Sequence, residues 1–260
     1  MSEIQVNKCD SLDDPANMKQ IELISHMLEK GRRTFGSSGA SLTHQISDPK
    51  YKDAGIDARL AKVGLEGEHK TTHVIKDWMK DKPNVVMINS VHVKGYGKEK
   101  IDEETGVLEG GDTDCILVIG NHVILIDSKN WKSKRKYSVT EKGEIKRGTR
   151  MFPGSKVNTV KASYLWLNYL KVYEPSIISI ICITSEKTFV VRDKNWWKQT
   201  FKLITLEDLT GFLDIIWKRI SDDNKTTINA NLVASIVIHA IKPYDFIKER
   251  LGNVANLLRD

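Results

Sequence analysis

Residues 112–131 read DTDCILVIGNHVILIDSKNW, two apolar runs, Cys115–Ile119 and Val123–Ile126, joined by Gly120-Asn121. A Gly-Asn dipeptide between two such runs predicts a β-hairpin closed by a two-residue turn. With Ile119 opposite His122, the same register sets Asp114 against Asp127 and Asp112 against Lys129. Strand side chains alternate, so all four fall on one face of the hairpin. Three carboxylates and one amine gathered on a largely apolar strand pair are costly unless something neutralises them.

A hard divalent cation suits that arrangement, because Mg²⁺ takes oxygen ligands and is typically held by one or two carboxylates, waters and a substrate phosphate. Lys129, two residues after Asp127, would share its face and lie within reach of a metal-bound water, placed to orient and activate it. The plainer alternative is a solvated hairpin face with a surface salt bridge, worth ~0–1 kcal/mol. Flanking apolar runs favour the first reading, since buried acids usually serve a purpose. Asp112 is equally well a turn residue after Gly110-Gly111.

Upstream, Leu60, Val63, Val74 and Trp78 recur at near-helical intervals and Pro83 follows, which predicts a helix over 56–80. Gly64 and Gly67 inside it call for either a close approach by another group or a break into two helices. Val85 to Val93 reads as a strand, 95–111 as a long charged loop, and Tyr137–Thr140 with Ile145–Arg150 as a small basic ribbon. Ser155–Val172 has helical periodicity; Ile177–Ile183, Thr188–Val191 and Leu203–Thr205 read as strands, Leu206–Arg219 as a helix. A helix after Asp13-Asp14-Pro15, ending at Gly31, precedes a Gly- and Ser-rich lead-in to Asp53, and two helices, 227–241 and 243–258, close the chain. The division is therefore 1–55 for the leading helix and linker, 56–220 for the main domain and 221–260 for a helical extension.

The chain of 260 residues is 40% hydrophobic and 28% charged, the composition of an ordinary folded protein. Its net charge of +6 is unevenly spread. Between Lys129 and Arg150 nine basic residues face two acids, a local +7, while Glu99–Asp114 carries seven acids and one base, a local −6. Three scattered cysteines without a C-x-x-C pair argue against a disulfide framework and a zinc ribbon. With no signal-like amino terminus and no apolar run approaching the ~20 residues that span a bilayer, the expected location is the cytoplasm, without a membrane partner.

The Asp114 to Trp131 segment resembles the PD-(D/E)xK nuclease signature in its nuclease-related-domain (NERD) form, and Gly64-Leu65-Glu66-Gly67-Glu68 resembles that family's G-x-x-G-E helix motif. The resemblance spans roughly Lys62 to Trp217. It implies an α/β fold with a restriction-endonuclease-like three-layer αβββαβ core, extra helices at both ends, and Mg²⁺- or Mn²⁺-dependent cleavage of DNA or RNA. On that pattern Asp114 and Asp127 hold the metal, Glu68 adds a carboxylate from the first helix, and Lys129 serves the water. The Ser128 carbonyl is a further metal ligand in this reading. Asp127 stands where the family more often has Glu, and Asn158 and Lys161 where it often offers Gln.

Lys132, Lys134, Arg135, Lys136, Lys146, Arg147 and Arg150 follow directly on this site and are the candidate phosphate contacts, with a merely solvated ribbon as the alternative. Trp131 either stacks on a base or packs beneath the hairpin. His69 and His73, four apart on a helix, have zinc-compatible spacing but no H-E-x-x-H order. Two further readings remain open at this level. One is a binding module that keeps the fold without turnover; the other is a subunit switched on by a helicase-like motor or sensor partner, and a homo-oligomer is a further candidate assembly.

Overall fold

The computed structural model describes residues 15–40, 42–43, 58–94, 110–131, 133–141, 144–151, 170–192, 196, 201–222 and 227–240. In chain order the elements are α1 (Pro15–Glu29), β1 (Thr34–Phe35), α2 (Ala58–Trp78), β2 (Val85–Lys94), β3 (Gly110–Ile119), β4 (His122–Lys129), β5 (Lys136–Val139), β6 (Ile145–Arg147), β7 (Arg150–Met151), β8 (Ser176–Ile183), β9 (Phe189–Val191), β10 (Lys202–Thr205), α3 (Leu206–Asp222) and α4 (Ala230–Ala240). The predicted helices over 155–172 and 243–258 lie outside the described residues, apart from a short 3₁₀ turn at Lys171–Tyr173, and so does most of the 95–111 loop.

Six strands form the central mixed sheet in the order β1-β2-β3-β4-β8-β10. The hairpin β3–β4 pairs Ile119 with His122 and Cys115 with Ile126, the register the Gly-Asn turn requires. Gly120 has φ +56° while Asn121 has no positive φ, the pattern of a type II′ turn, whose first central position favours Gly. β4 then pairs in parallel with β8, and β8 with β10.

Alternation along the strands sends side chains to two cores. Ile116, Val118, Val123 and Leu125 pack with Ile24 and Leu28 of α1 and Leu232, Val233 and Ile236 of α4. Cys115, Leu117, Ile124 and Ile126 pack with Ile75 and Trp78 of α2 and Leu209, Phe212 and Leu213 of α3. Helices therefore lie on both faces of the sheet, whose middle strands are buried on each side and read as continuous apolar runs.

Two features differ from the sequence reading. The stretch read as a linker supplies β1, which pairs in parallel with β2; two residues are too few to carry a periodic signal. The basic ribbon is not a free hairpin: it belongs to a second sheet of order β7-β6-β5-β9, in which β9 pairs in parallel with β5. The helix predicted over 56–80, by contrast, is found as α2 and runs unbroken across Gly64 and Gly67, so the alternative of two shorter helices falls away.

Candidate active site

α2 presents one stripe to the sheet, and Glu68, Thr71, Thr72 and Ile75 along it are all buried. The i, i+3, i+4, i+7 spacing puts them on a common face. Gly67 makes the close approach possible. A Cβ there would stand 2.9 Å from Thr184 Oγ1 and 3.2 Å from Asn130 Cβ, so a larger residue would push α2 off the ends of β4 and β8.

The end of β4 is fastened to α2 by its alternate residues. Ser128 Oγ donates to Thr71 Oγ1 at 3.0 Å, Thr71 Oγ1 donates to the Gly67 carbonyl at 3.1 Å, and Asn130 Nδ2 donates to the Val63 carbonyl at 3.1 Å. Asp127 and Lys129 take the other parity, and Lys129 Nζ donates to Asp127 Oδ1 at 2.5 Å. Trp131 is half-buried and packs against Tyr137 with ring centroids 5.1 Å apart, the packing role that the sequence offered beside base stacking.

At Asp114 the sheet opens. The β2–β3 ladder pairs Asn89 with Cys115 and Val91 with Thr113 but skips the Ser90 and Asp114 position between them. Ser90 there has φ +51°, an uncommon conformation for a non-glycine residue, and its hydroxyl donates to the Ser37 carbonyl at 2.8 Å. On the other side the β3–β4 ladder stops at Cys115 and Ile126, one pair short of Asp114 and Asp127. In place of a strand partner, Asp114 Oδ2 accepts the Ser128 backbone N–H at 2.6 Å.

Burial pushes the Asp114 carboxyl well above the ordinary range, and the charges of Glu68 and Asp127 add to the rise against the opposing Lys129 ammonium and the Ser128 bond. Burial works against the Lys129 ammonium, but Asp127, Asp114 and Glu68 outweigh it and hold this amine above its usual value. Asp114, Asp127, Glu68 and Lys129 thus share one electrostatic neighbourhood. Burial also pushes the neighbouring Cys182 thiol up to about 12, so it stays protonated near neutrality.

The immediate counter-charge in this cluster is Lys129 itself. Among the described residues no group of three or more His, Cys, Asp or Glu converges as a metal cluster does. The donor chemistry nevertheless suits a hard cation: three carboxylates outnumber one ammonium, and the charges of Glu68 and Asp127 add to the burial that raises the Asp114 carboxyl. Thr184 Oγ1, in the same corner as Gly67 and Asn130, is buried without a hydrogen-bond partner among the described residues.

The remaining candidates divide. Lys134, Arg135, Lys136 and Arg150 are exposed, Lys146 and Arg147 are half-buried, and Lys132 lies outside the described residues. His69 and His73 bond elsewhere, to the Ser38 carbonyl at 3.3 Å and to Asp77 at 3.5 Å, so they form no zinc pair. Glu66 forms a surface pair with Lys70 at 2.7 Å. The sequence reading missed Thr71 and Ser90. Thr71 lies three residues after Glu68 on the same stripe and was legible; a positive φ at Ser90 leaves no sequence signal.

Comparison with family models matches residues 63–184 to the nuclease-related domain, NERD. Comparisons with curated proteins and with solved structures return no match. The matched stretch begins one residue before Gly64 and ends at Thr184, so it encloses both the G-x-x-G-E helix motif and the hairpin. Among the described residues no helix is long and apolar enough to cross a membrane.

Proposed function

We propose that this chain, in which residues 63–184 match the nuclease-related domain, is a metal-dependent nuclease that hydrolyses phosphodiester bonds of DNA on a restriction-endonuclease-like core. The observation that carries the reading is the electrostatic cluster of Asp114, Asp127, Glu68 and Lys129 at the point where β3 loses its partners on both sides. Asp114, Asp127, Glu68 and the Ser128 carbonyl would hold Mg²⁺ or Mn²⁺, which supplies Lewis-acid stabilisation of the charge that develops on the phosphate.

The chain's own groups have distinct parts. Lys129, charged and tethered to Asp127, orients the attacking water and stabilises the negative charge that grows as it attacks. The Ser128 N–H fixes one oxygen of Asp114. Ser128 Oγ and Asn130 Nδ2 clamp this end of β4 to α2, so that Glu68 keeps its place beside the hairpin. Lys134, Arg135, Lys136, Arg147 and Arg150, with Lys132 and Lys146, contact backbone phosphates and supply sequence-independent affinity.

The test is incubation with supercoiled, linear and single-stranded DNA, with and without Mg²⁺ or Mn²⁺, beside Lys129→Ala. Metal-dependent cutting by the wild type, reduced roughly 10²–10⁴-fold in the variant, with salt-sensitive DNA binding retained, is the expected result. Binding to several DNA forms without cutting under any metal would overturn the nuclease reading. It would favour a non-catalytic nucleic-acid or partner-docking module on the same fold, a reading that the Lys129–Asp127 ion pair supports by already neutralising one carboxylate.

A further inference from the structure

The second sheet has two unlike faces. Tyr137 and Val139 of β5 and Ile145 of β6 turn inward, onto Ile181, Ile183, Phe201 and Leu203. Register then puts their neighbours on the other side. Lys136 pairs with Phe189, Ser138 lies between Lys146 and Val191, and Lys146 pairs with Met151. That outward face holds Phe189 at 67% exposure, Met151 at 47% and Val191 at 39%. An aromatic ring two-thirds open to water on a sheet is unfavourable by itself, and such patches mark contact sites.

The charge around it points to the occupant. Lys136 and Lys146 stand among these apolar side chains and form no ion pair among the described residues. The links leading into β5 and β9 add exposed Lys134, Arg135 and Lys187 against one acid, Glu186. An apolar peptide or a second copy of this face would have to bury those lysines against nothing of opposite sign. An unpaired nucleic-acid strand meets both demands, because its bases offer flat faces to stack on an aromatic ring and its phosphates meet the amines. A duplex keeps its base faces stacked inside and has nothing to offer Phe189.

We propose that the outward face of the β7-β6-β5-β9 sheet is a stacking platform for single-stranded DNA, centred on Phe189 with Lys136 and Lys146 as its phosphate contacts. The proposal rests on the nuclease reading only in naming the form of substrate: the platform delivers an unpaired or frayed strand toward that cluster. The route is short. β4 and β8 are parallel neighbours, and residues 130–135 and 184–188 carry them into β5 and β9, which are parallel neighbours again. Lys134 N–H donates to the Glu186 carbonyl at 3.3 Å and Phe189 N–H to the Arg135 carbonyl at 3.0 Å, so the two links are bonded to each other.

The experiment is fluorescence anisotropy with a labelled oligothymidylate and with a blunt-ended duplex, in EDTA, on the full chain. Phe189→Ala should weaken oligothymidylate binding about fivefold to a hundredfold, leave duplex binding within about twofold, and leave the melting temperature unchanged because the ring is exposed; Phe189→Trp should restore the affinity. Equal loss on both DNAs, or no loss on the single strand, overturns the proposal. So does a concentration-dependent dimer that Phe189→Ala dissociates, since a second copy would then be the occupant. EDTA keeps the two readings apart. A wild type that never cuts but loses only single-strand binding on Phe189→Ala sinks the nuclease and spares the platform, whereas normal cutting with unchanged single-strand affinity does the reverse.

Discussion

The backbone N–H of Ser128 donates to Asp114 Oδ2 at 2.6 Å, bridging the open end of the β3–β4 hairpin where the strand ladder has stopped. One oxygen of that carboxyl is thereby fixed. Asp114 is nevertheless held well above its ordinary range by burial and by the charges of Glu68 and Asp127. A group whose folded value lies above its unfolded value of about 3.9 favours the folded state in its protonated form. Its contribution is fully present below the unfolded value and is lost as pH rises through the folded one. Metal-free protein should therefore lose stability across that upward window, while Asp114→Asn should melt higher than the wild type at neutral pH and show a flatter profile. Thermal melts in EDTA across a pH series measure it; a parallel slope in the variant would count against this origin.

Lys129 and Asp127 make the second prediction. With its amine held above the usual value, Lys129 stays charged through the whole physiological range. Lys129→Met should destabilise the metal-free protein by about 1–3 kcal/mol, less than for a fully buried pair because a third of the lysine side chain remains exposed. Removing the amine leaves the carboxylates to repel one another, so adding Mn²⁺ should recover more stability in this variant than in the wild type. Denaturant midpoints with and without the ion provide the comparison.

Two glycines on helices should respond in opposite directions. At Gly67 a Cβ would meet Thr184 Oγ1 at 2.9 Å and Asn130 Cβ at 3.2 Å, so overpacking of about 1–3 kcal/mol outweighs the gain in helix propensity. At Gly211 on α3 nothing lies within 4 Å, and Gly211→Ala should stabilise by about 0.5–1 kcal/mol. Chemical denaturation of both variants checks the sign of each.

DNA affinity should fall linearly with the logarithm of salt concentration, and each of Lys134→Ala, Arg135→Ala and Arg150→Ala should reduce the slope by about one unit. A variant that weakens binding without changing the slope would identify a packing role instead.

Much of this was legible in the sequence, for local reasons. Gly120-Asn121 between two apolar runs fixes a turn, a two-residue turn fixes register, and register brings Asp114 and Asp127 to the same end of the hairpin. Glu68 became a candidate through its motif, and the structure gives the motif a physical cause: Gly67 lets α2 come close enough for the next residue to reach the hairpin. What stayed hidden was non-local. β1 is two residues long, and β9 pairs with β5 across some fifty positions, so neither left a period to read. The gap at Ser90 and Asp114 was hidden too, because it depends on a backbone angle at a residue whose type does not demand it.

The most direct measurement is titration of Mn²⁺ into the folded wild-type chain and into Asp127→Asn, followed by calorimetry at two pH values. Saturable binding that tightens as pH rises, with proton release, and that Asp127→Asn abolishes while its melt stays cooperative, is the predicted result. Binding that is absent from the wild type, or unchanged by Asp127→Asn, would contradict the claim that these carboxylates hold a catalytic ion.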